Sequence, residues 1–381
     1  IGSLAAPNAT WSRLNRDHPI ASLIQPTKQL PRIEALSTPI RPLIVLISGP
    51  SQDVMPNLWA LATERSPFPR RIEMGRKIPV VQCTGTPYEV VFAADTDDPV
   101  ETGAADAFGY SAAEISLACA SHHAEDRHVE AVTDILGRIG LTAEALECGP
   151  KVSIDEAVKI ERLKKGVEPS RLRSDCSGKH TGFLATAMHM GEDPAGYIDR
   201  THPVQQRIFQ TISEMCDVDV STLPEGIDGC SIPALAIPLS ALALGMAKLA
   251  NPGGLGAVRE AAADRVVQSI AAEPFMMAGT GHFCTAINAA LKGKVVAKTG
   301  AEGMVMVAVP AKGLGIAIKV DDGDIPGRVR GPALVAVLKH LGVIDDAVEA
   351  TMKDHIEIPI RDYNGRLVGL SKARDDWPPV G

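Results

Sequence analysis

KVVAKTG (294–300), MVMVAVP (304–310) and GLGIAIKVDDGD (313–324) are three β-rich runs separated by glycine-bearing turns. Branched and apolar residues in short runs with such turns predict an antiparallel meander. The chain before it carries a different period. Ser111 with Glu114 predicts a capping box ahead of an apolar run. Val129, Val132, Leu136 and Ile139 draw a helical stripe over 123–139. PVQQRIFQTISEMC (203–216) places Pro203 at a first helical position and repeats Val204, Ile208, Ile212 and Met215. Residues 234–250 and 255–272 continue the helical tract across the break NPGG (251–254). After the meander come a helix in PALVAVLKHLG (332–342) and a hairpin in 356–371 turning at Asn364-Gly365. The predicted class is α/β with α+β layering: an antiparallel sheet with helices beside a helical subdomain. The expected division is 1–98 as an atypical N-terminal region, with a helical part over about 110–290 and a sheet part over about 291–381.

Composition narrows the function classes. A net charge of −8 over 381 residues gives no basic footprint for nucleic acid or an anionic membrane. No apolar run approaches the roughly 18 residues of a spanning helix, and the first residues show no charged-then-apolar leader pattern. Seven scattered cysteines argue against a disulfide framework and for reduced thiols, hence a cytoplasmic protein. Residues 1–98 are crowded with proline, and only LIVLI (43–47) and YEVVFA (88–93) read as strands.

The stretch SDCSGKHTGF (174–183) concentrates the chemistry. It is not a phosphate loop: Arg173 stands where that motif needs glycine, and His180 follows the lysine. It reads as a helix start, capped by Ser174, Asp175 or Ser177, with Gly178 permitting close backbone approach. Free N–H groups there favour an anion, lower the pKa of the thiol at Cys176, and suit a substrate carboxylate.

LACASHHAEDRHV (117–129), ALECG (145–149), SDCSGKHTGF, THPVQQRI (201–208), GIDGCSIPALAIPL (226–239), MMAGTGHFCT (276–285) and VVAKTGAEG (295–303) occur in this order. Together they resemble the L-asparaginase II family, the thermolabile rhizobial type, from about Pro99 to the terminal hairpin. The resemblance implies a fold similar to serine β-lactamases, penicillin-binding proteins and glutaminases. It also implies hydrolysis of asparagine to aspartate and ammonia, zinc, and a homodimer. By motif, Ser121 matches the family's second active-site serine, and Cys176, Lys179 and Cys230 match its zinc ligands. Asp228 matches a residue at the substrate amino group, and Lys298 matches the pocket lysine at the sheet edge. His180 and Asp175 fall beside these as candidate substrate contacts, Asp175 standing where the family has asparagine. The expected catalytic set is therefore Ser121, Lys179 and Lys298. Each has a plainer reading: Ser121 as the cap of a helix from His123, Lys298 as an edge-strand charge, Asp228 as a turn residue, and His180 as a packed core imidazole.

One family feature is missing. Its nucleophile sits in Ser-x-x-Lys shortly before a segment that here is VETGAAD (100–106); Glu89 and Phe92 occupy those places, and no Ser-x-x-Lys occurs anywhere. A displaced reading frame over 1–98 and a genuine replacement both produce this boundary. The rival readings are a zinc- or aspartate-binding remnant and, from the KTG strand, a β-lactam or other small-amide hydrolase.

Overall fold

The computed structural model describes residues 99–320, 323–324 and 327–373, together with the backbone of 41–47 and 59–62. All of them lie within the unit Ser37–Gly381. The strands are β1 (Arg41–Ile47), β2 (Trp59–Ala62), β3 (Glu225–Ile227), β4 (Pro233–Leu235), β5 (Val296–Thr299), β6 (Met304–Val309), β7 (Leu314–Val320), β8 (Ile358–Arg361) and β9 (Leu367–Ser371). Five of them make one sheet of order β2-β1-β7-β6-β5, while β3–β4 and β8–β9 are separate hairpins.

The meander forms as its period predicts. β5, β6 and β7 pair antiparallel, Lys298 opposite Met306 and Val307 opposite Ile316. Beyond β7 the antiparallel expectation needs a correction, because β1 joins β7 parallel, Val45 opposite Ile318. That pairing links segments some 270 residues apart and leaves no local turn signal. LIVLI lies in β1; YEVVFA, with Glu89 and Phe92, falls outside the described residues.

Both faces of the sheet are buried along β6 and β7. Met304, Met306, Ala308 and Ala317 face the helical core, whereas Val305, Val307, Val309, Ile316 and Ile318 pack with Leu334, Val335 and Leu338. These are the two sides of a period-2 alternation. Mixed α/β layering follows, with helix Leu239–Ala250 against one face and helix Arg330–His340 against the other. Gly315 makes the first contact possible: a Cβ there would lie 2.0 Å from the carbonyl of Ala243 and 2.2 Å from the amide of Ala247.

Helix Ala112–Ala118 opens with the predicted capping box, Glu114 N–H donating to Ser111 Oγ. Helix Pro203–Cys216 begins at Pro203 and buries Val204, Ile208, Ile212 and Met215. The stripe over 123–139 settles into helix Asp126–Arg138, burying Val132, Ile135 and Leu136. The tract read as helix from 234 instead starts with β4, and the helix begins only at Leu239, after Pro238. Pro233 and Pro238 each remove a donor that a helix interior would require.

Candidate functional site

Helix Ser177–Met190 starts within the quoted stretch, and its N-cap is Cys176 rather than Ser174, Asp175 or Ser177. Ser177 is occupied elsewhere: its hydroxyl donates to Leu172 C=O at 3.0 Å and lies 3.2 Å from His122 Nε2. A buried thiol therefore stands at the positive end of a 14-residue helix. One turn on, Lys179 shares its face and is 1% exposed. Gly178 lets the first turn press against helix Ala112–Ala118, because a Cβ there would meet Leu117 Cγ at 2.6 Å and its carbonyl at 2.7 Å.

The β3–β4 turn supplies the opposing side. Asp228 Oδ2 accepts the Cys230 N–H at 2.9 Å, and Ser231 N–H donates to Asp228 C=O at 2.9 Å. Asp228 is thus a turn residue in fact, but the turn also carries its carboxylate inward. Ligand atoms of Cys176, Asp228 and Cys230 all lie within 4.8 Å of one another. Two thiols and a carboxylate at that spacing are donors a zinc ion accepts. Burial alone would raise the Asp228 pKa; the Lys179 ammonium and the amides of Cys230 and Gly229 outweigh it and hold it below the ordinary value.

Ser121 joins this group, with its Oγ 3.9 Å from Cys176 Sγ. It caps no helix, since the next one begins at Asp126. Its neighbour His122 donates its backbone N–H to Asp175 C=O at 3.0 Å, tying the two loops together. The Asp175 carboxylate pairs with Lys151 Nζ at 2.5 Å. Burial opposes charge on Lys151, but the hydrogen bond and charge of Asp175, with Cys176 and Asp228 nearby, raise its pKa. Sequence reasoning missed Lys151; its only signal was the acid at Asp175, which needs a cation.

His180 is fully buried next to Lys179. Its Nδ1 lies 2.6 Å from Tyr197 Oη, which also accepts the Glu147 N–H at 2.7 Å. Burial first, and then the Lys179 charge, push the His180 pKa well down.

Lys298 is brought to a histidine pair, His282 and His123. Its Nζ donates to Thr299 C=O at 2.5 Å, and its charge, after burial, helps lower the His282 pKa to about 4. The His282 ring meets His123 edge-on at 5.3 Å, and His123 is two residues from Ser121. Asn288 pins the strand: its Nδ2 donates to Cys284 and Ala297 carbonyls at 2.8 Å, and its Oδ1 accepts the Ala297 N–H at 2.9 Å. Buried at 5% exposure, Lys298 is not an edge-strand solubility charge. No helix among the described residues is long and apolar enough to cross a membrane.

A mixed α/β chain that gathers a hydroxyl, buried amines and a soft-metal donor set in one place has the equipment of a hydrolytic enzyme. The family model for L-asparaginase II matches residues 96–373, and the chain belongs to that family. A search of curated proteins finds no match.

Proposed function

We propose that the chain hydrolyses the side-chain amide of L-asparagine to aspartate and ammonia at the Ser121–Cys176–Asp228–Cys230 site. The observation that carries this reading is the convergence of Cys176, Asp228 and Cys230 within 4.8 Å, with Ser121 at their edge. Ser121 Oγ attacks the carboxamide carbon as an amine accepts its proton; the amine then returns that proton to the nitrogen, and the C–N bond breaks to release ammonia and leave an ester. Water then cleaves the ester and frees aspartate. Lys298, reached through His123 and His282, is the amine we assign to proton handling, and Lys179 is the amine we assign to zinc and to charge stabilisation. Asp228 faces the substrate amino group, with His180 and Asp175 beside it. Cys176, Cys230 and Lys179 would hold zinc, with Asp228 as the fourth donor within reach. When bound, zinc supplies a Lewis-acid charge that polarises an amide carbonyl. A β-lactamase-like fold, homodimeric assembly and a cytoplasmic location belong to the same proposal.

Ammonia release from asparagine and from glutamine, with zinc supplied, tests the reading; silence with both substrates ends it. A second reading has its own observation, the absence of Ser-x-x-Lys from the sequence. A zinc- or aspartate-binding chain without turnover would show tight aspartate binding by calorimetry and no ammonia. The KTG strand suggests a third substrate class, and nitrocefin tests β-lactam hydrolysis directly.

A further inference from the structure

The proposed chemistry sets the imidazole of His180 beside the substrate without giving it a bond to make. His180 is 0% exposed, and its Nε2 has no hydrogen-bond partner among the described residues. A buried polar atom in that state costs about 1–3 kcal/mol, so the fold has a reason to accept it. The far side of the ring is fully engaged. Tyr197 Oη already accepts the Glu147 N–H, so its single proton is free to go to His180 Nδ1, 2.6 Å away. With Nδ1 accepting, the imidazole proton sits on Nε2. Tyr197 is itself 0% exposed and wedged at an angle against Phe183 and His180, with ring centroids 6.1 and 5.4 Å away. Its second tie is the Gln205 Nε2 donor on its own carbonyl at 2.9 Å. The hydroxyl is therefore held by two partners, the Glu147 N–H and His180 Nδ1, while Gln205 holds the backbone of the same residue.

We infer that His180 Nε2–H donates a hydrogen bond to an oxygen of the bound amino-acid substrate, and that Tyr197 is the positioning residue that keeps the proton on Nε2. An acceptor is required, and the substrate class offers carboxylate and carboxamide oxygens. His180 follows Lys179, and the charges of Lys179 and Asp228 both act on its ring, which places it at the same site. A donor fixed by a tyrosine selects an oxygen over an amine at that point. The inference rests on the asparaginase reading.

The test is nitrogen-15 spectroscopy of the imidazoles in the full chain, titrated with L-aspartate, alongside kinetics of Tyr197→Phe. The expected result is a bare Nδ1 and a protonated Nε2 at His180, with the Nε2 resonance moving as aspartate binds. Tyr197→Phe keeps the ring and its packing but removes the donor; the two tautomers should then mix, and the asparagine KM should rise about tenfold with kcat changed less. A purely structural tyrosine would lower the melting temperature without moving the tautomer. A proton on Nδ1 in the parent, or an Nε2 resonance unmoved by saturating aspartate, overturns the inference while leaving the asparaginase reading intact. If the parent neither binds aspartate nor releases ammonia, that reading fails and this one falls with it.

Discussion

The hydroxyl oxygen of Ser121 lies 3.9 Å from the sulfur of Cys176, although the two residues are 55 positions apart. The link is made by two loops joined through the His122 N–H to Asp175 carbonyl bond. A hydroxyl and a thiol thus share one wall of the site.

The metal assignment predicts that the purified chain carries about one zinc per protomer, and that Cys176→Ser and Cys230→Ser each lose it. Asp228→Asn, which weakens only the fourth donor, should lose less metal than either serine variant while raising the asparagine KM. Elemental analysis of the three variants decides; full metal in both serine variants would remove the ligand set.

Gly178→Ala should destabilise the protein by about 1–3 kcal/mol, since the added methyl collides with the Leu117 side chain and carbonyl and forces the first turn to shift. The displaced turn carries Cys176 and Lys179, so zinc affinity should fall as well. A denaturation midpoint equal to the parent's would contradict the packing described.

Asn288→Ala should cost about 2–3 kcal/mol by leaving both backbone groups of Ala297 short of partners. Lys298 is the next residue along β5 after Ala297, so turnover should drop along with stability. Urea unfolding and ammonia release on the same preparation check both effects.

The sequence and the structure agree where the signal is local. The capping box at Ser111, Pro203 at its helix start, and the meander periods all announce themselves within a few residues. So does the Asn364-Gly365 turn, closed by the Gly365 N–H to Asp362 carbonyl bond at 2.9 Å. The parallel β1–β7 pair is not legible that way, because register between distant strands is set by packing rather than by turns. The partners of the site residues are hidden for the same reason. Tyr197, Lys151 and Asn288 look like ordinary surface or core residues until the fold brings them to His180, Asp175 and Ala297. Cys176 at the N-cap defeats propensity, which favours the three oxygen-bearing residues around it.

Stability should fall as pH drops from about 7 to 4. Burial is the leading cause that lowers the pKa values of His122, His123, His128 and His282, those of His128 and His282 to about 4. Between the ordinary value of 6.5 and about 4 the unfolded chain binds protons that the folded chain refuses, so acid favours unfolding. His128→Phe, which also keeps the stack on Phe275, should flatten part of that slope in calorimetry. An unchanged slope would remove His128 from the explanation.

The most direct measurement is ammonia release from asparagine by the purified, zinc-supplied chain beside its Ser121→Ala variant. The account predicts release by the parent and a loss of at least about a hundredfold in the variant. No release by the parent, or equal rates in both, would contradict it.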